Sequence, residues 1–488
     1  VEGNITNSGT ATSSGSYVYI GGNWDNSLGT YNYAAGDSIT FDGITASTIS
    51  GATDWNILTI DNTAGVTVSS GAQDVYGILN IVSGTFTTGS LVTLKSNSTT
   101  GTAQMDDLES GDISGNLTVE RLLSMTTQGW REITSPVQNT EIIDWQNNGI
   151  DFSGFTNSTF PTFPFVNAYT YFEPNAQGDK NNGWVAANDA NSDPTGPSSG
   201  HRVYMDATDF TLSVAGNPYK GSQVLNVTQT GGAGTGDEQN GWNLIGNPYP
   251  CTVDWDLLSS GDKNNIEDAI WIWNATVGNY GLYNTSGSTN NVTNEIAHSQ
   301  AFWVKAISNT GSVTFNESDK VRSDKPFVKS FSDNENMIVS LTSTVNNFKD
   351  ELVIKRQAGA SLFYDLGLDF SKLFTELPDE APSLSVLTND NVHLSIASVD
   401  KSNSSTIQLM ATAGLQSQGN YTLNFDIPSS FIEKGCIHLE DIHTGVITDL
   451  RVDSSYTFVS SDTTTVPRFL LHIFRDYDIN SSPATCYG

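Results

Sequence analysis

Apolar and polar residues alternate with a period of two along most of this chain, the pattern of half-buried β-strands. In residues 1–118 the alternating runs are short and separated by Gly, Asn, Ser and Asp turns: "YVYIGG" (17–22), "SITFDG" (38–43), "NILTIDN" (56–62), "VTVSSG" (66–71), "YGILNIVSG" (76–84) and "LVTLKS" (91–96). In the third run Leu58 and Ile60 share one face, and Ile57, Thr59 and Asp61 the other. Strands this short cannot stand alone, but stacked in a solenoid each buries its neighbour's face. The expected fold is a right-handed parallel β-helix, with a β-sandwich of the same strand spacing as the alternative.

Residues 119–322 carry an internal duplication. "GWREITSPV" (129–137) followed by Asp144-Trp145 reappears as "GWNLIGNPYP" (241–250) followed by Asp254-Trp255. "NAYTYFEP" (167–174) matches "DAIWIWNA" (268–275), and "GHRVYM" (200–205) matches "QAFWVKA" (300–306). The repeated Gly permits a positive-φ turn, the Pro ends the strand, and each Trp buries about 200 Å². These are the needs of a packing corner, and two copies predict a pseudo-symmetric pair of β units. The functional alternative is an aromatic sugar platform made from Trp184, Trp271, Trp273, Tyr280 or Tyr283.

Residues 323–476 contain at least seven longer alternating runs, among them "NMIVSLTS" (336–343), "DELVIKRQ" (350–357) and "NYTLNFDI" (420–427). They predict an antiparallel β-sandwich. Residues 477–488 read as a linker. The fold class is therefore all-β and multi-domain.

The length of 488 residues agrees with about three domains. Lys and Arg total 21 against 53 Asp and Glu, a net charge of −32. Such a surface repels phosphate backbones, which argues against nucleic acid as a partner. No apolar run approaches the roughly 20 residues of a membrane span. The three cysteines, Cys251, Cys436 and Cys486, cannot all pair within one chain.

Three segments together resemble the surface proteins that Bacteroidota export through the type IX secretion system. They are "GNWDNSLGTYNYAAGDSITFDG…STISG" (22–51), "GWNLIGNPYP…DW" (241–255), and the set "YDLGLDFSKLF" (364–374), "GNYTLNF" (419–425), "HLEDIHTGVITDL" (438–450), "SYTFVS" (455–460) and "RFLLHIF" (468–474). The terminal "CYG" is similar to the start of a repeat in long gliding adhesins of that class. The resemblance implies an extracellular adhesin, stalk or fibre component. The export translocon would be its partner, and surface glycans or other cells its targets. It also implies O-glycosylation at Asp-[Ser/Thr] triplets, with Ser38 and Thr463 as the fitting positions. The rival implication is a carbohydrate-binding region of a secreted polysaccharide-active enzyme. Self-assembly through an uncapped solenoid end is a further expectation.

Reacting groups are hard to find. There is no Gly-x-Ser-x-Gly elbow, and the six histidines are scattered, with His438 and His443 placed on opposite strand faces. Asp144 and Asp254 suit turn caps better than a glycosidase pair. No catalytic residue or cofactor is assigned. The best Ca²⁺ candidate is the loop 178–193, where Asp179, Asn181, Asp189, Asn191 and Asp193 offer hard oxygens.

Overall fold

The computed structural model describes residues 1–125, 127–159, 163–231, 239–324, 336–344, 346–375, 381–413, 419–432, 435–460 and 467–475. Strands dominate, and the α-helices among these residues are two short ones, Ile142–Asn147 and Ser429–Ile432. No helix among them is long and apolar enough to cross a membrane.

The N-terminal region is a solenoid of parallel strands. Tyr17–Ile20, Ser38–Phe41, Thr53–Asp61 and Gln73–Thr87 stack in one column, and Ile5–Thr6, Trp24–Asp25, Ser47–Ser50 and Val66–Val68 in another. Register puts Ile20 on Phe41, Phe41 on Ile60 and Ile60 on Ile81. All four are fully buried. Parallel strands lie about 4.8 Å apart, so each inward side chain sits on its equivalent in the next turn. Each turn of the coil therefore takes about twenty residues.

The solenoid does not end at residue 118. Leu117–Leu123 pairs in parallel with Val92–Leu94 on one side and antiparallel with Phe210–Gly216 on the other. One apolar core runs from Ile20 through to Val214. The first repeated unit thus begins as the last turn of the solenoid.

The duplication is real in three dimensions. The first copy orders its strands Gly129–Ile133, His201–Met205, Ala168–Tyr171, Trp184–Ala186; the second orders Trp242–Gly246, Ala301–Lys305, Ile270–Asn274, Asn279–Asn284. Outside these sheets, Leu117–Leu123 with Phe210–Gly216 corresponds to Gln223–Val227 with Gly311–Phe315. Trp130 lies opposite Tyr204 and Trp242 opposite Lys305, so His201–Met205 and Ala301–Lys305 align one residue off the sequence match. Gly241 holds φ +82°, and a Cβ there would lie 2.3 Å from the Ala306 carbonyl oxygen, which explains the glycine before Trp242.

The C-terminal region wraps an eleven-stranded sheet around its own core, from Met337 to Ile473. Among the described residues its strand pairing is antiparallel with one exception: Lys349–Gln357 runs parallel to His393–Asp400. The intervening chain crosses over before returning, which alternation alone cannot reveal. Residues 477–488 lie outside the described residues.

Candidate functional site: an aromatic junction between the two copies

Antiparallel pairing in the first copy sets Trp130 opposite Tyr204, Glu132 opposite Arg202, Tyr169 opposite Arg202 and Tyr171 opposite Trp184. Directly opposed residues point to the same face of a sheet. One face of the first copy is therefore aromatic with one acid and one base. It packs on the aromatic face of the second copy, which presents Trp242, Trp271, Trp273, Tyr280 and Trp303.

Arg202 sits at the centre. Its guanidinium lies 5.2 Å from the Trp130 ring, 5.2 Å from Trp184 and 5.1 Å from Trp273. The guanidinium donates to the Tyr280 hydroxyl at 3.2 Å. Tyr280 in turn donates to Glu132 Oε1 at 2.7 Å, and Trp303 Nε1 donates to both Glu132 oxygens at 3.1 Å. Glu132 and Arg202 are both buried. Removing two opposite charges from water is costly, and here ring quadrupoles and three hydrogen bonds to the carboxylate offset that cost. The arrangement is an aromatic cage whose cation belongs to the protein itself.

A second polar cluster fastens the next module. Glu267 is buried and accepts from the Ser371 hydroxyl at 2.9 Å and from the Tyr364 hydroxyl at 3.0 Å. Lys305 Nζ donates to Ser371 Oγ at 2.7 Å and lies over the Trp242 ring. Burial first, then the Glu267 charge, raises the Tyr364 phenol far above its ordinary range. Trp271 Nε1 donates to the Ser371 carbonyl at 3.0 Å. Lys372 and Asp350, both buried, form an ion pair at 2.5 Å, and the Leu384 N–H donates to the same carboxylate.

The expected aromatic platform is corrected by these contacts. Trp184, Trp273 and Tyr280 do come together, around Arg202. Trp271 faces the C-terminal module, and Tyr283 lies on the opposite side of its sheet, donating to Asp256 at 2.7 Å. Burial, and then that hydrogen bond, raise the Tyr283 phenol. Trp271, Trp273, Tyr280 and Tyr283 are all buried and only Trp184 is partly open. The rings stand at steep angles, such as 83° between Trp184 and Trp303. Each copy has an aromatic face, and the two faces consume one another.

The Ca²⁺ candidates serve turns. Asp179 accepts from the Asn181 N–H at 3.0 Å and caps a 3₁₀ turn. Asp189 accepts from the Asn191 N–H and from Asn157 Nδ2, while Asp193 accepts from the Asn188 and Asp189 N–H groups. Among the described residues no three His, Cys, Asp or Glu side chains are arranged to hold a metal ion. Ser38 is a buried strand residue, which corrects its expected role as a glycan acceptor. Its neighbour Asp37 is buried too, accepting from the N–H groups of Gly15, Ser16 and Ala34. Thr463 and Cys486 lie outside the described residues. Asp144 and Asp254 do cap turns, receiving the Glu141 and Asp256 N–H groups.

Sequence reasoning missed Glu132 and Arg202, although both lie in strands of the repeat. Their opposition across the sheet was the signal. It also missed that His438 lies opposite His472 across two strands, with His472 Nε2 at 2.8 Å from Glu440. His443 lies in a turn past the end of that strand.

No curated protein and no solved structure matches the chain. One family does: the model of a domain of unknown function, DUF8693, matches residues 22–473. That span runs from the solenoid's Trp24–Asp25 strand through both copies and into the last strand of the C-terminal sheet. The chain belongs to the DUF8693 family.

Proposed function

We propose that this chain is a non-enzymatic, stiff structural segment of an extracellular surface protein, exported by a type IX-like secretion system and used as a stalk or adhesin scaffold. One observation carries the reading: the modules share a buried, largely aromatic cluster whose few polar groups are hydrogen-bonded across the junctions. Glu132 of the first copy takes hydrogen bonds from Tyr280 and Trp303 of the second. Glu267 of the second copy takes them from Tyr364 and Ser371 of the C-terminal module. Domains that must move against each other keep more polar, wetter interfaces. Buried junctions of this kind suit a body that carries force or holds distance. The export and location rest on the sequence resemblance.

Calorimetry tests the mechanical part. A single unfolding transition involving the solenoid, both copies and the C-terminal sheet together supports it, and well-separated transitions for each module refute it. Export is tested by following the chain in cells with and without a working type IX translocon. A second reading, glycan binding, is favoured by one observation: Phe165 is 41% exposed and packs with Trp130 and Tyr204, which are themselves only partly buried. A glycan array with the Phe165→Ala variant as control tests it.

A further inference from the structure

We propose that residues 361–369 form a proton-sensitive strap, which ties the C-terminal sheet to the second copy more firmly in mild acid and lifts more readily at neutral pH, with Asp369 as the group that takes the proton. The biological sense of such a strap rests on the stiff-segment reading, whereas its response to protons stands on the local geometry.

The strap is held by carboxylates that accept backbone hydrogen bonds. Asp365 accepts from the Ser361 N–H at 2.6 Å, and Asp390 from the Tyr364 N–H at 3.1 Å. Asp369 is the central clamp. Its Oδ2 accepts from the Asp365 N–H at 2.9 Å, and its Oδ1 from the Ser398 N–H at 2.7 Å on the strand His393–Asp400. The Ser398 hydroxyl donates back to the Leu368 carbonyl at 2.8 Å. From the same strap Tyr364 reaches the second copy, donating to Glu267 at 3.0 Å. The outer side of the strap is open, with Phe363 55% and Leu366 47% exposed.

Asp369 itself is only 2% exposed. The lysines of this region are committed elsewhere: Lys355 donates to Ser286 Oγ at 2.9 Å, and Lys372 pairs with Asp350. The groups that face Asp369 are Asp365 and Tyr364 from the strap, Lys355 from the strand Lys349–Gln357, and Ser398. Glu267 and Asp390 stand behind Tyr364. Thr388, Asn389, Thr406 and Gln408, which complete the small cavity beneath the strap, are neutral. That cavity measures about 20 Å³ for the centre of a water molecule, which is room for about one. One water cannot hydrate a carboxylate, so full hydration of the charge requires the strap to lift.

Burial, opposed in part by the two N–H bonds and reinforced by the Asp365 charge, raises the Asp369 carboxyl to about 6. A lifted, hydrated strap returns it to the ordinary aspartate value of about 3.9. The closed strap therefore binds the proton more tightly. Its advantage is full below the ordinary value and is lost as pH rises through about 6. His201 pushes global stability the other way, because its depressed pKa weakens the fold in acid. The direction of the pH effect thus separates lifting of the strap from global unfolding.

Amide hydrogen exchange of the full chain at pH 5, 6 and 7, corrected for the intrinsic exchange rate, tests this. The opening constants of the Asp365 and Ser398 amides should rise about tenfold from pH 5 to pH 7. In Asp369→Asn, which keeps the shape without the charge, both should stay level. Level constants in the wild type overturn the proposal, and so does a rise that persists in the variant. Should the variant fail to fold, the carboxyl carbon shift of Asp369 in the wild type decides. Titration near pH 6 supports the strap, and titration in the ordinary aspartate range overturns it. Separate calorimetric transitions for the modules would defeat the stiff-segment reading and leave these amide results standing.

Discussion

Thr134 packs directly on Gly246, its own counterpart in the second copy. A Cβ on Gly246 would lie 2.4 Å from the Thr134 Cβ, and Thr134 is fully buried. Thr134 donates its N–H to the Ser299 carbonyl while Gly246 donates to the Pro197 carbonyl, so each copy hands one strand end to the other. The next residues repeat the relation: the Ser135 hydroxyl accepts from the Val137 N–H, and Asn247 Oδ1 accepts from the Tyr249 N–H. The pseudo-two-fold seam passes through this pair.

Gly246→Ala should therefore destabilise the protein by about 1–3 kcal/mol through overpacking at the seam. Thr134→Ala should relieve part of that loss in the double variant, because it removes atoms the new methyl meets. Denaturant midpoints of the four proteins in the cycle check it. Strict additivity would mean that the two positions are not in contact.

Glu132→Leu should cost about 3–5 kcal/mol, since it leaves Arg202 buried without its opposite charge and strands the Tyr280 and Trp303 donors. Replacing Arg202 by Met as well should recover much of the loss. Tryptophan fluorescence during urea unfolding reports the change at the junction. An unchanged midpoint for Glu132→Leu would refute the role given to this carboxylate.

Burial holds the His201 pKa down to about 4, with its ring set edge-on against Trp145. A base with a depressed folded pKa stays neutral in the native state and takes up its proton on unfolding. Its contribution is full above the unfolded value of about 6.5 and is lost as pH falls toward 4. The loss amounts to about 3 kcal/mol, and buried His298 adds to it in the same direction. His201→Phe should flatten stability between these pH values, and Phe302 already fills the equivalent register position. Urea midpoints at several pH values measure this, and an equally steep profile in the variant would reject it.

Cys251 should resist thiol reagents until the protein unfolds. It is free and fully buried, and burial pushes its thiol up to about 12. It donates toward Gln104 of the solenoid at 3.3 Å. Labelling by a disulfide reagent should follow global unfolding, and rapid labelling of the native protein would contradict the packing between solenoid and second copy.

Much of the fold was legible in the residues. Alternation placed the strands, because side chains of a strand point alternately to its two faces whatever surrounds it. Gly-Trp followed by Ser-Pro in one copy and Asn-Pro in the other marked the repeated corner, because turn geometry and strand stops are local demands of backbone sterics. The turn-capping roles of Asp144 and Asp254 were local in the same sense.

What the chain by itself determined, then, is the set of strands, their faces and the existence of two equivalent units. The tertiary structure alone decided which face meets which. It set Arg202 among rings from both copies, turned Tyr283 away from them, carried the solenoid core past residue 118, and laid Lys349–Gln357 parallel to His393–Asp400. A period of two fixes that a strand has an apolar side. The partner for that side lies up to hundreds of residues away, chosen by the shape and charge of surfaces that exist only once the chain has folded.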